Sequence, residues 1–254
     1  MKKIFLPLIA LALLVIGCKK NENIQPIPND TLVPDTPVAA VFSVSDSLQV
    51  RFSQGNLQYI NGTWRFAEHQ TDCLPSFSEN TCDLFGWSTG ISNWGINSSK
   101  VYDDYEGEFV EWGTNPDLIA DLGEGWRTLS EAEWDYLLNE RKVNGHAGEG
   151  HSWSAARING HYGLIVYPDN FTKQSATHGV IPDSCVFMPA VGSRIGERIL
   201  YRDDEEGWYW SSSAYPTQIG LGLRLHGAYS STTSVIFNGW SRLIGCSVRL
   251  VRDI

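Results

Sequence analysis

Gly125-Trp126-Arg127-Thr128-Leu129-Ser130-Glu131-Ala132-Glu133-Trp134 sets the architecture expected of this chain. Ser130 with Glu133 three residues on forms a capping box, in which each side chain answers the other's open backbone amide, so a helix starts at Ser130. Trp134, Leu137, Leu138 and Arg141 then fall on one face. A stripe this short is stabilised mainly by tertiary burial, so its apolar members are expected to pack on a sheet. The residues favour a core helix with no catalytic duty.

On either side of this helix turn signals are frequent and apolar alternation recurs. Leu48, Val50 and Phe52 alternate with polar residues. Leu57–Ile60 and Thr63–Phe66 flank Asn61-Gly62, a two-residue type I′ hairpin signal. Residues 38–254 carry aromatics throughout, with no composition break and no fixed-period repeat, which suits one domain with a sizeable core. The expected class is α+β, strand- and loop-rich with few helices.

The block at 125–134 resembles the GWR-L-(T/S)-x-x-E-W signature of the formylglycine-generating-enzyme-like and Fibrobacter major paralogous domains. Further blocks agree in order: Asp83-Leu84-Phe85-Gly86-Trp87, then Tyr209-Trp210-Ser211-Ser212-Ser213, then Ser247-Val248-Arg249-Leu250-Val251-Arg252. The resemblance spans residues 41–253, implies a C-type lectin-like fold, and is shared with Bacteroidetes lipoproteins that carry such blocks. Physically the blocks read as scaffold. Trp126, Trp134 and Trp210 are anchors of the kind that bury about 150–250 Å² each. Val248, Leu250 and Val251 suit a closing strand, with Arg249 and Arg252 available to pair with acidic loops. Formylglycine-generating enzymes bind copper through two cysteines a few residues apart in the C-terminal part of the fold. Cys185 and Cys246 lack that local arrangement, so the oxidase chemistry does not carry over.

The N-terminus gives an address. Lys2-Lys3, the apolar run 4–16 and Leu14-Val15-Ile16-Gly17-Cys18 make a bacterial lipobox, so residues 1–17 are expected to be a signal peptide and Cys18 the lipidated residue. Residues 18–37, with Pro26, Pro28, Pro34 and Pro37 among polar residues, read as a flexible tether. Fully extended, it could hold a domain up to roughly 60 Å from a membrane. The domain follows at 38–254. The expected location is the cell envelope, as an outer-membrane lipoprotein facing the surface or the periplasm, with the acyl chains supplying the membrane contact. Loss of the leader takes the formal charge from −10 to −12, which argues against nucleic acid as a partner.

In an exported protein disulfides persist, and Cys73, Cys82, Cys185 and Cys246 allow three pairings. Cys73 with Cys82 closes a short loop, and Cys185 with Cys246 ties an internal strand to the closing strand; these are the preferred pairs, with buried thiols as the alternative.

Several motifs invite chemistry. Gly86-Trp87-Ser88-Thr89-Gly90 matches the G-x-S-x-G elbow of hydrolases, but the residues after it read as loop rather than helix. His146, Glu149, His151 and His161 could be drawn as metal ligands, yet glycines make their spacing uninformative. Asp103-Asp104-Tyr105-Glu106 and Asp203-Asp204-Glu205-Glu206 could offer oxygens to calcium, the one cofactor considered, although the Glu-Pro-Asn and Trp-Asn-Asp motifs of sugar-binding lectins are absent. Glu108 and Glu111 could form a glycosidase pair if their separation and pKa values split suitably. No enzymatic activity is expected, and no metal.

Residues 213–245 have a different texture. Tyr215, Arg224, His226, Tyr229, Asn238, Trp240 and Arg242 mix rigid aromatic area with forked donors, a composition suited to sugar rings or protein epitopes. The resemblance implies that this region contributes exposed loops and part of a ligand face. The function expected from sequence is therefore adhesion-like, non-catalytic binding of a glycan or surface protein. The rivals are a structural or tip subunit of a surface assembly and an enzyme reusing the fold with another site.

Overall fold

The computed structural model of the protein describes residues 38, 40–90, 93–141, 143, 152–171, 181, 184–201, 206–214, 219–226 and 234–254. The leader, Cys18 and the tether lie outside them, as do His146, Glu149, His151, Asp203, Asp204, Glu205, Tyr215 and Tyr229.

Strands come first: β1 (Phe42–Ser43), β2 (Gln49–Phe52), β3 (Leu57–Ile60), β4 (Thr63–Phe66) and β5 (Thr81–Cys82). Two short helices follow, α1 (Pro116–Leu122) and α2 (Glu131–Asp135). Next are β6 (Trp153–Ile158), β7 (His161–Val166), β8 (Val186–Pro189), β9 (Ser193–Ile195) and β10 (Arg198–Leu200). The chain finishes with β11 (Glu206–Ala214), β12 (Ile219–His226), β13 (Ser234–Ser241), β14 (Ile244–Gly245) and β15 (Val251–Asp253). This is a strand-rich, loop-rich α+β protein.

Among the described residues the strands form five three-stranded sheets, ordered β1-β2-β15, β4-β3-β5, β6-β7-β8, β10-β9-β14 and β11-β12-β13. Asn61 and Gly62 take positive φ, and β3 and β4 pair across them from Ile60 opposite Thr63 to Leu57 opposite Phe66. The C-terminal segment stitches the sheets together. The amide of Cys246 donates to Phe85 and that of Ser247 to Trp208, while its carbonyls at Val248 and Leu250 accept from Leu57 and Ser53. Val251 exchanges two bonds with Arg127, and β15 pairs with β2.

Three apolar clusters fill the interior. Trp64, Trp87, Trp112, Trp126, Trp208 and Trp210 gather around Phe85, Val248 and Leu250. Phe42, Phe52, Trp134, Leu137, Leu138 and Val251 form a second core beneath α2. Ile158, Ile165, Cys185 and Phe187 form a smaller third.

The capping box forms: Glu133 N donates to Ser130 Oγ at 3.3 Å, and Ser130 N to Glu133 Oε2 at 2.7 Å. The helix departs from the expected α geometry after Asp135, where Tyr136–Glu140 is a π turn. Neighbouring side chains occupy the turn's carbonyls: Ser152 Oγ donates to Leu137 O and the Trp153 indole to Leu138 O. Trp134, Leu137 and Leu138 are buried as predicted, and Arg141 swings to an ion pair with Asp169 at 2.6 Å.

Two expectations are corrected. Neither the Cys73–Cys82 nor the Cys185–Cys246 disulfide is formed. Cys185 belongs to the third core and Cys246 to the first, so their sulfurs serve different clusters. The Cys82 thiol turns to the Leu84 carbonyl at 3.3 Å, and burial pushes its pKa up to about 12. Nor do Arg249 and Arg252 pair with acidic loops. Arg252 donates to Leu122 O and stacks over Trp126 at 4.2 Å, while Arg249 is buried among neutral groups.

Arg127 grips Glu133 through both terminal nitrogens, at 2.9 and 2.7 Å, and reaches Asp253 at 2.7 Å, which ties α2 to the last strand. Burial works against ionisation of Glu133, but the bonds from Arg127 and Ser130 outweigh it and hold the carboxyl below its ordinary 4.5. Its stabilisation is fully present above the unfolded value and lost as pH falls through the lower native one. Glu133→Gln is expected to cost about 1 kcal/mol at pH 7, with the gap to wild type closing below about pH 4.5, as read by urea titrations across pH. Calorimetry with and without dithiothreitol checks the cysteines. The midpoint is expected to move by less than about 2 °C, whereas losing a disulfide worth about 3 kcal/mol would lower it by about 6–12 °C.

Candidate functional site

Four separated segments meet at an open groove of about 380 Å³ lined by Gln54, Glu68, His69, Gln70, Thr71, Ile158, Asn159 and Ile181. Gln54 lies in the turn after β2, residues 68–71 follow β4, and Ile158 ends β6. Asn159 and Gly160 both have positive φ and form the tight turn into β7, a second Asn-Gly hairpin. That dipeptide between two strand-like runs was a readable signal for the turn, although nothing local marked it as part of a site.

Hydrogen bonds between the lining residues and their neighbours fix the walls, those of Gln70 and Asn159 being part-buried. Gln54 Nε2 donates to Glu68 O at 2.9 Å. Gln70 holds three groups: its Nε2 donates to Cys185 O at 3.1 Å, and its Oε1 accepts from Phe187 N at 2.6 Å and Arg249 Nη2 at 3.0 Å. Asn159 Nδ2 donates to Thr71 Oγ1 at 3.3 Å. The His69 backbone is pinned by Asp72, while Glu68 and His69 are exposed at the rim.

Arg249 stands behind this wall, 0 % exposed. Nη2 also donates to Gln54 O at 3.0 Å, and Nη1 to Asn56 Oδ1 at 3.3 Å. Asn56 in turn donates to the Tyr209 hydroxyl, which donates to Pro189 O at 2.9 Å. Burial lowers the Arg249 pKa to about 10, which leaves it cationic at neutral pH, and the same desolvation raises that of Tyr209. The groove thus presents amide, hydroxyl and imidazole groups beside Ile158 and Ile181, a lining able to hydrogen-bond a polyol and cover an apolar edge.

The other sequence-derived candidates lie elsewhere. In the β11-β12-β13 sheet Arg224 pairs with Trp208, His226 with Glu206 and Ser234, Asn238 with Gly222, and Trp240 with Gly220. Glycine at 220 lets rings close over the strand, since a Cβ there would stand 2.5 Å from the Trp87 ring. Trp240 is half-buried and stacks on Trp208 with centroids 4.0 Å apart. Arg242 donates to Gly107 O at 2.9 Å and lies over Trp87. These two side chains are engaged in packing, and neither lines the groove.

Ser88 is fully buried in a loop, so it is not presented as a nucleophile. Glu111 accepts from Thr128 Oγ1 at 2.7 Å and burial raises its pKa, but neither it nor Glu108 lines the groove. Asp103 and Asp104 sit in a 3-10 turn, with Asp104 accepting from Ser99. Among the described residues no three His, Cys, Asp or Glu side chains converge to hold a metal ion.

No protein-family model, curated protein or solved structure matches the chain.

Gln70→Leu leaves the Phe187 amide, the Cys185 carbonyl and Arg249 each short of a partner, and is expected to cost about 3 kcal/mol in urea unfolding with the m-value unchanged. Glu68→Gln at the exposed rim is expected to stay within about 0.5 kcal/mol in the same measurement.

Proposed function

We propose that the protein is an envelope lipoprotein, anchored in the outer membrane through lipid on Cys18, whose C-type lectin-like domain binds a glycan without catalysis. One observation carries this reading: Gln54, His69, Gln70, Thr71 and Asn159 converge on an open groove whose walls are already fixed by part-buried hydrogen bonds. Neutral donors and acceptors held in place before binding suit a ligand recognised through hydroxyl groups, because little ordering cost remains to be met on association. The groove volume lies within the range of small-ligand sites. The ribbon bearing Arg224, His226, Asn238, Trp240 and Arg242 would then be a flanking surface rather than the main contact.

Full-length protein extracted in mild detergent, applied to arrays of microbial and host glycans with calcium and with EDTA, tests the reading. Saturable binding in the micromolar to millimolar range is expected, weakened about fivefold to tenfold by Asn159→Ala and unchanged by Trp240→Phe. The opposite response of the two variants would move the site to the C-terminal ribbon. Turnover of the bound glycan would make the protein an enzyme. Absence of binding to every glycan would favour a subunit of a surface assembly.

A further inference from the structure

Among the described residues two arginines are buried completely, and their surroundings differ. Arg194 donates from all three nitrogens to backbone carbonyls, of Leu84, Gly196 and Gly95, and its guanidinium lies 3.9 Å from the Phe77 ring centroid. Arg249 has fewer partners. Its Nε is buried and donates to nothing, and its terminal nitrogens meet an amide side chain, a backbone carbonyl and Gln70 Oε1. Among the described residues no carboxylate reaches it, the ion pairs there being those of Arg127 and Arg141. A cation taken out of water with neutral neighbours keeps a field that its surroundings do not cancel.

That field emerges at the groove. The two groups that accept from Nη2, Gln54 O and Gln70 Oε1, belong to residues lining it, so Arg249 lies one residue behind the floor. An amide whose oxygen is held by a cation is polarised and becomes a better donor through its nitrogen. Glu68, the carboxylate of the lining, is exposed at the rim, where water screens it. Elsewhere the protein is acidic, with a formal charge of −10, so its surface at large disfavours anions. A preference for an anion would therefore originate in the groove.

We propose that the groove selects a saccharide bearing a carboxylate over its neutral counterpart, with Arg249 supplying the charge that the acid group offsets. This rests on the groove being the glycan site. Methyl glucuronide and methyl galacturonide, set against the matching neutral methyl glycosides, are the probes, titrated into the full-length protein by calorimetry. At least tenfold tighter binding of an acidic glycoside is expected. Glu68→Gln should tighten that binding about twofold to threefold relative to the neutral glycosides, while Asn159→Ala weakens both. Arg249→Met, checked for folding by circular dichroism, should abolish the preference; if it does not fold, the Glu68→Gln comparison decides alone. Equal binding of acidic and neutral glycosides, or no effect of Glu68→Gln on either, overturns the acid preference and leaves a neutral glycan site standing. No binding of these probes overturns it too, and the glycan array then decides separately whether the groove binds glycans at all.

Discussion

Backbone hydrogen bonding by the last stretch of chain, residues 246–253, is the constraint on which the rest of the structure depends. Its amides and carbonyls reach Phe85, Trp208, Leu57, Ser53 and Arg127 in turn, then complete a sheet with β2. Without this segment the sheets that contain β2, β3 and β11 would each lose hydrogen-bonded neighbours, and three short strands bury too little apolar area to persist alone. Its side chains follow the same logic. Val248 and Leu250 enter the tryptophan-rich core and Val251 enters the core beneath α2, while Arg249 between them is carried to the back of the groove.

The buried guanidinium is thus a consequence of strand alternation as much as of any local preference. A segment whose neighbours at 248 and 250 must both be apolar has one position between them that faces the opposite way, and here that position meets Gln54, Asn56 and Gln70. The amides supply hydrogen-bond geometry but not charge. Arg127 and Arg141 lie nearer the surface and find carboxylates.

What was legible in the sequence was what local spacing determines. Ser130 and Glu133 specified their cap because both partners lie within one turn, and Asn61-Gly62 specified its hairpin because the backbone there needs positive φ at two successive residues. The π turn after Asp135 was hidden, because it is stabilised by Ser152 and Trp153 from further along the chain. Cysteine pairing was hidden too: short separation along the chain favoured Cys73 with Cys82, whereas the fold turns the Cys82 thiol to Leu84. The groove escaped notice for a chemical reason. Glutamines, a threonine and an asparagine drawn from three distant segments form no motif, while the acidic run at 103–106 that catches the eye contributes nothing to this lining.

The seam at 246–253 also sets the order in which the molecule can come into being. β1 and β2 are made long before β15, the third strand of their sheet, so the contacts that close it span nearly the whole domain. Such wiring makes folding slow to begin and late to finish. Until residue 253 has been made, the sheet of β1 and β2 lacks its third strand and two cores lack Val248, Leu250 and Val251.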